Sequence, residues 1–410
     1  MPTPLRFFAT CAKGTEGALR RELSALRLHA VRGERGGVSF EGRLEAGMRA
    51  CLHARTAMRV LLELARWPAP DAGALYEGAR AVAWDEWLTP RTTLAVEASV
   101  SSSAVTHSGY AALKVKDAAV DALRERLGAR PAVDPKDPDV RIVLHLARDE
   151  ATLSLDLAGA PLHRRGYRAV TTEAPLKETL AAAVLLLGGA DPALPFVDPL
   201  AGSGTLAIEQ ALRARRIAPG LGRAFGFQRW PLYRGVPQSA WDRMKEEARA
   251  RALPRAPAPI VARDLHPKAV EAARRNAAAA GVGADVLVEQ GDARELAPRF
   301  PTGTLAANPP YGERLMGARD GVAEGRRARG RAPGAREERP RDPGADRVQQ
   351  KKLQGFYRGL AEMLARHSGW TAILLSGSPL LERAIPLRPE VDHRLWNGPL
   401  EVHLLQYRIP

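Results

Sequence analysis

The stretch "FVDPLAGSGTLAIE", residues 196–209, joins a short apolar run, an acid, a Gly-x-Gly turn and a helical segment. Read as a strand ending at Asp198, it hands the chain to a turn in which Gly202 and Gly204 permit tight bending and close approach of a ligand. Helix N–H groups follow directly behind that turn. Two common readings fail. No Gly-Lys-Ser/Thr follows, so this is not a phosphate loop. A dinucleotide fingerprint would need a third glycine and an acid about 20 residues on, whereas the next strand-end acid, Asp264, comes 62 residues after Gly202.

Working outward, the region beyond residue 170 repeats strand–loop–helix units, the pattern of a parallel, doubly wound sheet. Helix "PLKETLAAAVLLL" precedes the opening strand, and helix "TLAIEQALRAR" follows it. Then come strand "PIVARD", helix "HPKAVEAARRNAAAA", strand "ADVLVEQGD" and strand "GTLAANPPYG", with "GWTAILLSGS" and "EVHLLQYRI" as closing strands. Asp198, Asp264 and Asp292 each end a strand. One alone reads as a turn or helix cap. Three on the carboxyl edge of one sheet point to a ligand cradle, because ligands bind there. Asp198 suits a positive amino group, Asp264 ribose hydroxyls, and Asp292 an adenine amino group. Ala201, Ser203 and Thr205 of the turn, with Leu265 and Ala293 beside the later acids, complete the candidate cofactor-binding set.

The fourth strand runs into "NPPY", residues 308–311. Pro309 and Pro310 have no N–H to donate, so the strand is expected to stop near Asn308 and give way to a stiff turn. At this point the chain resembles S-adenosylmethionine-dependent methyltransferases of the Rossmann type, and "NPPY" resembles the motif of their amino-methylating members. The resemblance implies a catalytic group of Asn308, Pro309, Pro310 and Tyr311. The Asn308 side-chain oxygen and the Pro309 carbonyl would accept the two N–H bonds of an exocyclic amine, freeing its lone pair, and Tyr311 would stack on the base. Positioning and electrostatics suffice for such a transfer.

A narrower likeness extends over nearly the whole chain. "LSLDLAGAPLHRRGYR", "APLKETLAAAVLL", "DPLAGSGTLAIEQA", "RIAPG" and "NPPYGERL" are similar to bacterial large-subunit (23S) ribosomal RNA guanine-N2 methyltransferases carrying a THUMP domain. "RFFATCAKGTEGALRREL" and "YAALKVKDAAVDALRERL" look like that family's N-terminal unit and THUMP helix. "RAFGFQRWPLYRGVPQSAWDRMKEEARAR" looks like its usual insertion, which accounts for the long gap before Asp264. The implied fold is α/β, a Rossmann-like doubly wound methyltransferase domain behind an α+β ferredoxin-like and THUMP RNA-binding region. We expect a ferredoxin-like unit over 1–41, a THUMP domain over 42–156 and the methyltransferase domain over 157–410. Some members fuse a second methyltransferase domain downstream; the chain ending at Pro410 is expected to be the single-domain form. Residues 317–352, with 11 basic and 6 acidic residues and no apolar periodicity, read as a disordered basic insertion, an RNA-gripping arm or a neutral one.

Composition agrees with a polyanionic partner. The 410 residues carry 61 Lys and Arg against 46 Asp and Glu, a net charge of +15. An Ala- and Arg-rich composition explains part of that excess, so charge alone does not decide. Lys114 and Lys116 on the THUMP helix, and Arg164, Arg165 and Arg168 in the connector "GAPLHRRGYR", are the candidate RNA contacts. Within "GMRACLHARTAMRVLLELAR", residues 47–66, the apolar spacing predicts one helix. There is no apolar run of membrane-spanning length and no secretory leader pattern. Only Cys11 and Cys51 occur, at no metal-binding spacing, which fits a reducing cytoplasm. The expected partner is large-subunit ribosomal RNA or a precursor particle, with no membrane, no metal and a monomeric state. The rival readings are a transfer-RNA guanine-N2 methyltransferase, a DNA adenine or protein glutamine methyltransferase, and a non-catalytic assembly factor on the same scaffold.

Overall fold

The computed structural model describes residues 4–170, 176–231, 233, 238–311 and 343–410. Two sheets organise them. The first uses β1 (Leu5–Thr10), α1 (Glu16–Ala25), β2 (His29–Glu34), β3 (Gly37–Gly42), α2 (Leu44–His53) and β4 (Arg59–Pro68). It continues through α3 (Ala72–Arg80), β5 (Thr93–Ser101), α4 (Ser108–Leu127), β6 (Ala132–Val133), β7 (Val140–Ala147) and β8 (Glu150–Asp156). Its strand order is β2-β3-β1-β4-β8-β7-β5-β6, so the first and second units share one continuous sheet through the β4–β8 pairing. Residue 41, where the first unit was expected to end, lies inside β3, and β4 then pairs antiparallel with β1.

The pairing of β4 corrects one expectation. Of the 47–66 stretch only residues 47–53, the end of the helix Leu44–His53, are helical, and from Arg59 on it belongs to the strand Arg59–Pro68. Leucine, glutamate and alanine favour a helix locally, but β1 on one side and β8 on the other take the backbone hydrogen bonds. Extended, the segment buries Val60 and Leu62 on one face at alternating positions. Tertiary pairing outweighs the weak local preference.

The second sheet contains α5 (Glu178–Leu187), β9 (Phe196–Asp198), α6 (Thr205–Ala214), α7 (Gln238–Ala250), β10 (Ile260–Asp264), α8 (Pro267–Ala279) and β11 (Val286–Gln290). Then follow β12 (Thr304–Ala307), α9 (Pro343–Ala365), β13 (Thr371–Ser376), α10 (Pro379–Ala384), β14 (Val391–Asn397) and β15 (Leu400–Arg408). The order is β11-β10-β9-β12-β13-β15-β14, parallel from β11 to β13 and closed by an antiparallel β15–β14 hairpin. The doubly wound expectation holds, with that hairpin as the exception to a purely parallel sheet.

Alternate strand residues feed separate cores on the two faces. Phe196, Ile260, Ala262, Ala306 and Ile373 pack with α5, α6 and α8. Val197, Val261, Leu305, Ala307 and Leu374 pack with α9 and α10. Within α9, Leu353, Tyr357, Leu360 and Leu364 are buried at helical spacing. That anchored face carries the helix back to Pro343, so residues 343–352 are helical and not part of a disordered insertion. The rest of 317–352 lies outside the described residues. No helix among the described residues is long and apolar enough to cross a membrane.

The long segment between β9 and β10 joins the two halves. Phe225, Phe227, Trp230, Tyr233 and Trp241 are buried with the core of the first sheet. Phe225 and Phe227 stack at 5.4 Å, and Trp241 meets both edge-on at 5.7 and 5.2 Å. Gly220 donates its N–H to the Leu52 carbonyl at 3.0 Å, and a Cβ on it would fall 2.8 Å from the Leu52 Cα. Only glycine fits that seam.

Candidate active site at the carboxyl edge of the second sheet

Strand β9 has β10 on one side and β12 on the other, and the connections run outward from it in both directions. This is the switch point at which a crevice opens beyond the strand ends. Asp198 ends β9 there, 1% exposed, and accepts a hydrogen bond from the Leu200 N–H at 3.2 Å. Burial, with Asp264 nearby, pushes its carboxyl up to about 8.

The turn after Asp198 is held from outside. The Gly202 N–H donates to Asp264 Oδ2 at 2.8 Å, and the His266 N–H donates to Asp264 Oδ1 at 2.9 Å. Gly202 and Gly204 both take positive φ, +53° and +83°. A Cβ on Gly204 would lie 3.1 Å from the Ala273 Cβ, so the glycine lets the turn seat directly on α8. A Cβ on Gly202 would meet nothing within 4 Å, so the backbone there borders open space. Ala201, Ser203 and Thr205 are buried in the turn.

A brace beneath this turn is not among the residues its motif names. Asn276 of α8 is fully buried, donating to the Ser203 carbonyl at 3.0 Å and exchanging hydrogen bonds with the Val170 backbone. A lone asparagine inside "AARRNAAAA" was the available signal, since asparagine is unfavourable within helices unless its amide is used.

Asp292 caps the short turn at Ala293 and is bound through both oxygens by Arg294, which holds its carboxyl below the usual range. Leu265 is exposed beyond β10, and its carbonyl accepts from Gln290 Nε2 at 3.2 Å. The three acids therefore share one sheet edge, but in different states. Asp264 is engaged with the turn, Asp292 with Arg294, and Asp198 with a single backbone N–H.

Strand β12 stops at Ala307, as the two prolines require. The Tyr311 hydroxyl donates to Asn308 Oδ1 at 3.1 Å, and the Tyr357 hydroxyl donates to the Pro310 carbonyl at 2.7 Å. Tyr311 also lies against Gly377: a Cβ there would fall 2.6 Å from its Cγ and 2.7 and 2.9 Å from the two Cδ atoms. Near-equal distances place Gly377 over the ring face. Gly377, Tyr357 and Asn397, whose Nδ2 donates to the Tyr311 hydroxyl at 3.1 Å, had no signal in the motif itself.

Two of the proposed RNA contacts need correction. Arg165 is 6% exposed; it donates to the Leu162 and Arg55 carbonyls and lies 3.6 Å from the buried Glu209. Its charge is spent inside the junction of the two halves and cannot reach a phosphate. Arg168 clamps the glycine turn instead, donating to Ser203 Oγ at 3.1 Å, Thr205 Oγ1 at 3.2 Å and Glu178 Oε1 at 2.9 Å. Arg164 is exposed and lines a cleft of about 460 Å³ with His163 and Lys177. Lys116 pairs with Asp117 at 2.8 Å, and Lys114 lies 5.6 Å from the exposed Tyr110 ring, both on α4 of the other sheet. Cysteine nucleophiles are excluded by burial, which pushes the Cys11 thiol up to about 12 and that of Cys51 well above its ordinary value.

Comparison with known proteins matches this architecture piece by piece. The RlmL ferredoxin-like domain family matches residues 6–61, the THUMP domain family residues 69–156, and the RMKL-like methyltransferase domain family residues 165–323. The chain is 42% identical over 425 residues to the ribosomal RNA large subunit methyltransferase K/L of Syntrophotalea carbinolica, covering 100% of this chain and 54% of that protein. It thus spans about half the length of the named relatives it matches. Among solved structures, a protein designated a methyltransferase, SMU.472, in complex with SAH has a TM-score of 0.84 at 29% identity, covering 100% of this chain and 99% of that one. A Listeria monocytogenes protein named as a predicted N6-adenine-specific DNA methylase reaches 0.82 at 28% identity, covering 100% and 97%. Along its length, then, the chain carries an RlmL ferredoxin-like domain, a THUMP domain and an RMKL-like methyltransferase domain on a Rossmann-like fold.

Proposed function

We propose that the protein is a cytoplasmic S-adenosylmethionine-dependent RNA methyltransferase that modifies the exocyclic N2 of a guanine in large-subunit ribosomal RNA. The observation that carries this reading is the meeting of two features at one switch point. Strands β9 and β12 pair in parallel, Thr304 against Phe196 and Leu305 against Val197, so the Asp198 turn and Asn308–Tyr311 emerge side by side. The residues suit the cofactor. Asp198 is a buried carboxylate among the described residues with no cationic partner, and an arriving ammonium would favour its ionised form. The open space at Gly202 leaves room for a ligand against the backbone, and Asp264 and Asp292 follow along the same edge. The cofactor supplies an electrophilic methyl group.

The chain's own contribution is to hold an amine in line. An amine conjugated to a base ring is a poor nucleophile because its lone pair is delocalised. Asn308 Oδ1 and the Pro309 carbonyl would accept its two N–H bonds and turn that lone pair out of the ring plane. The prolines keep the two acceptors at fixed separation. Pro309 is buried and Asn308 only half-buried, which supports a base reaching Asn308 from solvent at this lip of the sheet edge. The ferredoxin-like and THUMP units, joined in one sheet, would carry the RNA to this lip, with Arg164, Lys114 and Lys116 as the remaining candidate phosphate contacts.

The test is transfer of a labelled methyl group to 23S ribosomal RNA from cells lacking the protein, followed by digestion to nucleosides. The expected product is N2-methylguanosine. N6-methyladenosine would favour the reading suggested by the Listeria neighbour's name, and label confined to transfer RNA would favour a transfer-RNA enzyme. Asn308→Ala is expected to lower turnover at least about a thousandfold with cofactor binding retained; near-normal turnover refutes the assigned role.

A further inference from the structure

The end of β14 makes contacts in two directions. Outward, the Trp396 N–H donates to the Lys13 carbonyl at 3.2 Å, and Lys13 Nζ lies 3.5 Å from the Trp396 ring centroid. His393 Nε2 lies 2.5 Å from the Gly14 carbonyl oxygen. Gly14, at φ +88°, sits so close that a Cβ would fall 2.3 Å from the Arg394 carbonyl oxygen. Lys13 and Gly14 belong to the loop between β1 and α1, so the N-terminal unit is docked on the outermost strand of the second sheet. Inward, the next residue is Asn397, whose Nδ2 donates to the Tyr311 hydroxyl at 3.1 Å; that hydroxyl donates to Asn308 Oδ1 at 3.1 Å.

We infer that Asn397 is a positioning residue for the transfer, held in register by the docking of the N-terminal unit on β14. This rests on the function proposed above. A hydroxyl has one hydrogen and two lone pairs. With Asn397 donating to its oxygen, the Tyr311 hydrogen is directed at Asn308. That contact keeps the oxygen end of the Asn308 amide, not its NH2, turned toward the tyrosine. The second lone pair of the same oxygen then remains for the incoming amine. Gly377 against the ring face fixes the plane in which the hydroxyl lies. An edge strand has a neighbour on one side only, and β14 is that strand. The Lys13–Gly14 loop supplies the missing support, so the unit proposed to carry RNA also sets the geometry that receives the base.

The experiment is a double-mutant cycle in the full-length protein, read as initial rates of methyl transfer to deproteinised ribosomal RNA. Asn397→Ala should lower kcat about fivefold to tenfold, the size of one lost hydrogen bond, with KM for RNA and cofactor affinity within about twofold. In a Tyr311→Phe background the same substitution should cost nothing more, since no hydroxyl remains to be oriented. Gly14→Ala should lower kcat in the wild type and likewise lose its effect in Tyr311→Phe. Additive losses in either pair overturn the inference, as does a loss confined to KM. A crystal structure of Asn397→Ala is the arm independent of activity. Displacement of the Tyr311 hydroxyl from Asn308 supports the inference; an unchanged contact overturns it. If the wild type methylates no RNA, the functional reading fails and the crystallographic arm alone decides this one.

Discussion

Asp156 and Asp198 both end strands, β8 and β9, and both are shut away from solvent, at 0% and 1% exposure. Asp156 is a finished arrangement. Arg59 pairs with it, the Ala158 N–H donates to it at 2.9 Å, and burial, opposed by that arginine, leaves its carboxyl at about 6. Asp198 has one backbone donor and an acidic neighbour, and reaches about 8. A buried carboxyl with its cation is a brace within the fold. A buried carboxyl without one, at the switch point of a doubly wound sheet, is a candidate ligand contact. The second arrangement lowers the stability of the free protein, and a cationic ligand would restore it.

The largest effect should come from breaking the brace. Asp156→Ala leaves Arg59 without its buried partner and should destabilise the protein by about 3 kcal/mol in denaturant unfolding. A negligible change would mean that Glu97 and the Gly159 carbonyl, which Arg59 also reaches, suffice.

At Asp198 the sign should reverse. A carboxyl whose folded value is raised contributes stability that is complete below its unfolded value, about 4, and is lost as pH rises through about 8. Asp198→Asn removes that loss. The variant's advantage over the wild type should grow by on the order of 2 kcal/mol between pH 6 and pH 8. The same variant should bind cofactor at least about a hundredfold more weakly by calorimetry, the loss of a charge-assisted contact. A variant destabilised at pH 8, or binding normally, would place Asp198 with Asp156 as a structural residue.

The smallest effect tests the corrected arginine. Arg168→Ala should cost about 1 kcal/mol of stability, the size of a lost hydrogen bond, and loosen the glycine turn, weakening cofactor binding several-fold. The salt dependence of RNA binding should not change, because a guanidinium committed to Ser203, Thr205 and Glu178 neutralises no phosphate. A flatter slope would return Arg168 to the RNA interface.

Some of these features were legible because their physics is local. A proline ends a strand wherever it stands, so β12 stopping before Asn308 needed no knowledge of the rest of the chain. Gly202 and Gly204 announced a turn that only glycines adopt readily, and three acids at strand ends announced the edge on which a ligand cradle would lie. The ferredoxin-like, THUMP and methyltransferase order was readable from motifs spread over the chain.

Other features depended on partners far away in sequence. Arg59–Pro68 is a strand because β1 and β8 flank it. Arg165 and Arg168 look alike in "HRRGYR" to the exposed Arg164, yet Glu209, Glu178 and the glycine turn draw them inside. Asn397 meets Tyr311 across 86 residues, and Gly377 shapes the space for that ring. What the sequence by itself determined about this protein is where the chain turns, stops and exposes acids, since those follow from each residue's own backbone limits. What only the tertiary structure decided is which charges are neutralised and which are left waiting, because a buried charge takes its meaning from whatever the fold brings within reach.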